Sequence, residues 1–585
     1  MKRFFFITSM ILLLAFACET TAFAGEGARL YHAENTVEAL GTQGEGGAAK
    51  SAEGDKAGVT AGNAEDIAGD AAGDAAGSTA GDTGFLTEEE RELIDSLALS
   101  DDRAAADEIC EYRNPRRMVI ASPKDGLTTT GEHVSILGSC DPNYECFVNG
   151  EKIETTEHGF FVLYPELEIG ENTFVFRNMA KEKKITIVRK KASGGGGTPE
   201  NPPVSPFAEG TYGVVTSAYT MTRADIYSQS PDLIPITGGT TLRLLGECEK
   251  FYQIYDGTFV SKSAISRKEG KIKKNRIAKA VIVDHKDRNV ISLVFDTEVN
   301  VPFSLKMRDD GKAELTLFET YECAQVEYAD NDTIKKAELV DVSEGRAVIE
   351  LEFAGGLHIS GYDCRYEGGK MIVSMKKPVH LKKRGSLEGA VILLDPGHGT
   401  DDPGALGPLG LYGPKEKNFN LSFGLMLRDI LTDRGANVVI TRTDDSFLEL
   451  SERVAIIRDL APDISVSVHG NSLAEVTDYR PAKNFRMFYT YGEFNNAAAL
   501  MNALIIKNMG FDFEEERSQS LSLTRITSNP AILLETMFLS NPDNYELLLK
   551  KDFRQKYALV IADAIEAFLE SNTVYEDEAA QAGPA

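Results

Sequence analysis

The sequence predicts a multidomain chain in which a C-terminal α/β domain with a mainly parallel sheet is preceded by small all-β domains. Three observations support this. The chain has 585 residues, more than one hydrophobic core serves, and length alone suggests several domains. Between residues 117 and 384 short runs alternate apolar and polar residues, with turn signals between them, as half-buried strands do. From 390 to 571 apolar strands instead alternate with stripes of helical period, the pattern of a sheet covered by helices. A hydrophobic share of 42% and a charged share of 26% are ordinary for folded protein.

The N-terminal region reads differently. Residues 1–24 place Lys2 and Arg3 before an apolar run ending in small residues, which predicts a secretory signal peptide and an extracellular, periplasmic or cell-wall location. Cys18 offers lipidation as an alternative, and only in that case is a membrane a partner. Residues 25–112 are predicted to be an acidic low-complexity tether with a short helix at 87–99. Within 25–108 there are 20 Asp and Glu against 5 Lys and Arg, a balance of −15 out of −28 for the chain. Such a segment is solvated rather than packed. The net charge of −28 also excludes nucleic acid as a partner, because phosphate binding needs a basic face. Residues 572–585 are expected to be a disordered tail.

Residues 117–191, "HVSILGSC", "ECFVNG", "FFVLYPELEIGENTFVFRN" and "KKITIVRK", are read as a small β-sandwich. They resemble the bacterial immunoglobulin-like accessory domains. Cys140 and Cys146 in "CDPNYEC" are either a loop disulfide or two small hydrophobes. Residues 192–206 are a Gly/Pro linker. Residues 207–265 resemble bacterial Src-homology-3-like barrels, with Tyr252, Tyr255 and Phe259 either lining a peptide groove or filling the core. Residues 277–384 are predicted to be a second β-sandwich, with a resemblance to the domains that position peptidoglycan amidases on the wall.

In the C-terminal domain, residues 390–571, Phe419, Phe423, Met426 and Ile430 form a helical stripe closed by Arg434-Gly435. Leu450, Val454 and Ile457 form another before Pro462. Functional groups in such a domain gather beyond the carboxyl ends of the strands. His398 follows "VILLD", His469 follows "ISVSV" and Glu535 follows "AILL", while Glu416 opens a helix in "GPKEKNFNL". Of eight histidines only these two lie beyond residue 380, and both end an apolar strand. No cysteine occurs in this domain, which excludes a thiolate nucleophile, and Ser467 and Ser472 lack the nucleophile-elbow pattern. Two imidazoles and a carboxylate make a three-ligand zinc set with one position left for water. A further carboxylate can then carry the proton. Spacing alone leaves open which glutamate plays which part.

"DPGHGTDDPGALG", "EKNFNLSFGLMLRDILTDRGANVVITRTDDSFLELSERVAIIRDLAPDISVSVHGNS" and "NPAILLETMFLSNPDN" together resemble the zinc-dependent N-acetylmuramoyl-L-alanine amidases. The resemblance implies one catalytic zinc held by His398, Glu416 and His469, Glu535 as the catalytic carboxylate, and a supporting role for Asn471. It implies peptidoglycan as substrate, cut between the lactyl group of N-acetylmuramate and L-alanine, with cell-wall or divisome proteins as candidate partners. Thr400 and Gly470 stand where the family usually has Gly and Ala, and neither departure removes a ligand or the base. The alternatives are a non-catalytic wall-binding protein and a zinc peptidase acting on stem peptides.

Overall fold

The computed structural model describes residues 103–575, apart from short stretches of which the longest are 192–202, 227–231, 491–496 and 512–516. The expected signal, Cys18, the tether up to 102 and the 87–99 helix lie outside the described residues. All described residues belong to one compact unit.

The C-terminal domain runs through β1 (Val391–Pro396), α1 (Glu416–Asp433), β2 (Asn437–Ile440), α2 (Leu450–Leu460), β3 (Ile464–Asn471), β4 (Arg486–Tyr489), α3 (Ala497–Met509), β5 (Arg517–Ser518), β6 (Ala531–Phe538), α4 (Pro542–Leu549) and α5 (Lys551–Ser571). Its sheet has the order β2-β1-β3-β6-β4-β5. The β1–β2, β1–β3 and β3–β6 pairs are parallel and β4 runs antiparallel to β6. The three central strands are buried on both faces, which is why β1, β3 and β6 read as continuous apolar runs rather than alternations. Phe419, Phe423 and Met426 of α1 and Tyr557, Ile561 and Ile565 of α5 cover them in one core. Helix α1 stops where Gly435 takes a φ of +101°, a left-handed conformation that glycine adopts without Cβ strain.

Upstream, residues 119–189 form a three-stranded sheet (119–122, 136–139, 160–163) and a five-stranded sheet that enclose Ile136, Phe161, Phe176 and Ile187. Cys140 and Cys146 are free thiols buried in this core; Cys140 Sγ donates to Gly159 O at 3.5 Å, and its neighbour Cys146 together with burial raises the Cys140 pKa. Residues 205–268 wrap a small core of Leu242, Leu244, Ile254 and Val260. Phe259 is buried and Tyr255 meets Phe318 of the next module at 5.3 Å, so neither lines a groove. Residues 275–376 fold as two sheets around Leu293, Phe295, Leu315, Ile349 and Val373. Among the described residues no helix is long and apolar enough to cross a membrane.

Several boundaries differ from the sequence expectation. Residues 103–112 were expected in the tether, but Arg103–Ile109 is a helix docked on the C-terminal domain. Ala106 packs with Leu421 and Leu425, and Cys110 enters the main core. Asp107, 2% exposed, accepts from Ser422 Oγ at 2.8 Å and lies 3.6 Å from the fully buried Arg554 guanidinium. Three or four side chains give the burial, too few to show as a stripe in so short a segment. At the other end the expected tail begins with Thr573–Tyr575, which pairs in parallel with Val379–Leu381. Those residues, expected in the preceding sandwich, therefore belong to the core of the C-terminal domain, and the sandwich's strands end at Lys376. Ser205–Pro206, expected in the linker, pairs with the strand Thr241–Cys248.

The 275–376 module is fixed to the amino ends of β1 and β3. Lys376 and Asp463, 5% and 6% exposed, pair at 3.0 Å, and Asp463 Oδ2 accepts the Val391 N–H at 2.8 Å. A buried pair of this kind is expensive to break from one side, because the remaining charge is stranded. The same logic applies to Asp107. Asp107→Ala is expected to destabilise the C-terminal domain by about 3 kcal/mol, and the Asp107→Ala/Arg554→Met double variant to recover most of it. Denaturant unfolding checks this; an unchanged midpoint in the single variant would rule out docking of the helix.

Candidate metal centre

Every group singled out at the strand ends depends on how β1, β3, β6 and α1 terminate. β1 ends in Asp395, a fully buried carboxylate. It accepts from Arg453 at 2.7 Å, Thr441 Oγ1 at 2.6 Å and Ser467 Oγ at 2.8 Å. Burial opposes its charge, but the Arg453 guanidinium and these donors hold its pKa below the usual carboxylate value. Arg453 also donates to Pro396 O at 3.0 Å and His398 O at 3.0 Å. Arg442 donates to Pro396 O, Gly397 O and Lys417 O within 2.9 Å. Two buried guanidiniums thus pin the backbone of the His398 loop. His398 itself has a φ of +64°, a conformation costly for a residue with a side chain and held by this web.

The structure brings His398, Glu416 and His469 together. Their candidate ligand atoms lie within 4.8 Å of one another. His398 Nε2 is 2.9 Å from Glu416 Oε1, His469 Nδ1 is 3.1 Å from the same oxygen, and the two rings stand at 77° with centroids 5.0 Å apart. Glu416, 4% exposed, accepts from Ala405 N–H at 2.7 Å and Gly470 N–H at 3.0 Å. Burial would raise its pKa, yet the two imidazoles keep it well below the usual carboxylate range. His398 shows the converse: burial would lower its pKa, but Glu416 and Asp402 together raise it to about 10. Two glycines make room. A Cβ on Gly397 would fall 2.1 Å from His469 Cε1, and one on Gly404 would fall 2.5 Å from Glu416 Oε2.

Glu535 stands beside this group. It faces His469 in the β3–β6 register and Arg486 in the β4–β6 register. It is 7% exposed, and its Oε2 is buried without a hydrogen-bond partner. Burial first, then the Glu416 charge, raise its pKa to about 8. Asn471 ends β3 farther along, where its backbone oxygen accepts the Leu539 N–H at 2.8 Å.

The sequence reading passed over Asp402, whose Oδ2 lies 2.7 Å from His398 Nδ1 and so leaves Nε2 facing the site. It also passed over Asp395, Arg442 and Arg453. Arg453 was detectable: its spacing from Leu450 and Ile457 puts a charge on the apolar face of α2. A second acidic group, Glu157, His158 and Glu546, is half exposed, and Glu157 also faces Lys550 at 3.4 Å.

Two histidines and a buried carboxylate at the carboxyl ends of parallel strands, with a protonatable carboxylate beside them, are the donor set of a single-metal hydrolase. The orphaned Glu535 oxygen and the like-charged Glu416 beside it fit a cation placed between them. The sequence model of the N-acetylmuramoyl-L-alanine amidase family matches residues 392–567, and the C-terminal domain of this chain belongs to that family. Among curated proteins, it is 29% identical over 185 residues to a probable cell wall amidase LytH of Staphylococcus epidermidis, covering 32% of this chain and 60% of that protein. The Staphylococcus aureus counterpart is 29% identical over 187 residues, covering 32% of this chain and 61% of it. The chain thus spans about three fifths of the length of these relatives. Among solved structures, the catalytic domain of CwlV, an N-acetylmuramoyl-L-alanine amidase from Bacillus (Paenibacillus) polymyxa var. colistinus, is 32% identical. That match covers 31% of this chain and 98% of that one, with a TM-score of 0.29.

Two outcomes follow from the geometry. Asp402→Ala is expected to weaken metal affinity about 10- to 100-fold with the fold unchanged, measured by competition with a chromogenic chelator. Glu535 carries the second. Its folded pKa of about 8 lies above its unfolded value, so its stabilising contribution is complete below the ordinary carboxyl range and is lost as pH rises through 8. Metal-free protein is therefore expected to lose stability as pH rises from about 5 to about 8, with no further loss from this group above that. Glu535→Gln is expected to flatten that loss, and parallel thermal melts of the two would disprove the buried, protonated carboxyl.

Proposed function

We propose that this protein is an exported, zinc-dependent peptidoglycan hydrolase that cleaves the amide between the N-acetylmuramoyl lactyl group and L-alanine of the stem peptide. The observation that carries the reading is the convergence of His398, Glu416 and His469 beside a buried, orphaned Glu535 within the family-matched segment. His398 through Nε2, His469 through Nδ1 and Glu416 through its carboxylate would hold one zinc ion. A bound zinc ion supplies Lewis acidity, polarising the scissile carbonyl and lowering the pKa of the attacking water. Glu535 takes the proton of that water and returns it to the departing alanine nitrogen, a role that its buried Oε2 without a hydrogen-bond partner supports. Asp402 keeps His398 in the tautomer that presents Nε2. Arg453 and Arg442 hold the loop so that these groups need no rearrangement before reaction.

The apolar run of residues 4–17 after Lys2 and Arg3 supports export to the wall, with Cys18 as a lipid anchor the alternative. The immunoglobulin-like, Src-homology-3-like and sandwich modules are read as the part that places the enzyme on peptidoglycan. Wall or divisome proteins are candidate partners.

Purified protein is expected to release stem peptides with a free N-terminal L-alanine from peptidoglycan, to lose activity in chelator and to regain it with zinc. Glu535→Gln should keep its zinc while kcat falls by about 10²- to 10⁴-fold, and His469→Ala should lose zinc. Mass spectrometry of the products separates this reading from a stem-peptide peptidase: cleavage inside the peptide would refute it. A zinc content well below one per chain would instead favour a non-catalytic wall binder.

A further inference from the structure

The loops around the metal group do not end in solvent; each meets the β-module of residues 119–189. After β3, residues 475–479 lie along that module. The Ser135 N–H donates to Glu475 O at 2.6 Å. Ser135 Oγ donates to Thr477 O at 2.6 Å and accepts the Tyr479 N–H at 3.1 Å, and the Tyr164 hydroxyl donates to Val476 O at 2.9 Å. Ser135 is fully buried. In the loop between His398 and Glu416, Gly410 lies against Val119 and Ala121, and the Arg117 guanidinium sits 4.6 Å over the Tyr412 ring. Beyond β6, Glu546 of α4 accepts the His158 N–H at 3.0 Å. Phe160 meets the ring of Tyr545 at 5.5 Å, and Tyr545 donates to Pro414 O at 2.8 Å, two residues before Glu416. One module therefore touches the loops that follow β1 and β3 and the helix α4 that follows β6.

We propose that this β-module is part of the active site, with Ser135 a positioning residue that fixes the 475–479 loop as one wall of the groove receiving the glycan–peptide substrate. The inference rests on the amidase reading and extends it. A loop's exposed backbone groups normally bond water; here Thr477 O and Tyr479 N–H are satisfied by one buried hydroxyl of another module, which selects a single loop conformation. That conformation holds Val476, 46% exposed, at the module boundary. Nothing in the Ser135 contacts reaches the metal group, whose geometry is set by Arg453, Ala405 N–H and Gly470 N–H. Loosening the loop therefore weakens ground-state and transition-state binding alike, which raises KM and leaves kcat.

The test uses the full chain carrying Ser135→Ala or Tyr164→Phe, the second retaining all packing should the first fold poorly. Zinc content, kcat and KM on a soluble muropeptide, and hydrogen exchange over 472–481 are measured. The expected result is unchanged zinc, kcat within about twofold, KM raised about five- to tenfold, and faster exchange at 475–479. Faster exchange with KM unchanged overturns the proposal, as does loss of kcat and zinc together, which marks a merely structural role. A wild-type chain that binds zinc but cleaves no muropeptide refutes the amidase reading and leaves the clamp to hydrogen exchange, where equal rates in wild type and Ser135→Ala overturn it.

Discussion

Glu416 is a buried carboxylate that stays ionised, and most of the site's architecture answers to that constraint. An isolated charge in such a place costs several kcal/mol, so it persists only with donors and counter-charges on every side. They arrive from three directions: His398 from the end of β1, His469 and Gly470 N–H from the end of β3, and Ala405 N–H from the intervening loop. The start of α1 contributes its own positive end. Meeting at one point demands close backbone approach, and Gly397 and Gly404 allow it because each would otherwise place a Cβ inside the site. A second tier of charge, Asp395 with Arg453 and Arg442, then holds His398 in its left-handed conformation.

The modules divide between the two ends of the sheet. At the amino end, Lys376 with Asp463 and Arg458 with Asp363 (2.5 Å) tie the 275–376 module to the end of the sheet opposite the metal group. At the carboxyl end, the 119–189 module joins the loops beside the metal group. The docked helix at 103–109 completes a third face by giving Arg554 a carboxylate partner. The C-terminal domain is thus assembled from parts of the chain more than 400 residues apart, since Asp107 and Arg554 sit together.

How much of this was legible depended on the range of the interaction. His398, His469 and Glu535 were readable because each ends an apolar run, and a titratable group there is costly without a role. Glu416 was not separable from Glu535 by spacing; burial and partners distinguish them, one carboxylate driven below its usual pKa by imidazoles and the other raised by burial and its charged neighbour. Asp402 went unread because its bond to His398 depends on a loop turn that no periodicity announces. Ser135, Asp107 and Thr573–Tyr575 went unread because their partners are remote in sequence.

By itself the sequence determined the α/β character of residues 390–571, the order of the four chemical groups and the family they resemble. Apolar period and strand-end chemistry are local properties, written within a few residues of each other. Only the tertiary structure decided which oxygen faces which imidazole, where the C-terminal domain's core begins and ends, and that a β-module clasps the segments following β3 and β6. Those are contacts between distant segments, and their energies depend on burial and geometry that no single stretch of sequence contains.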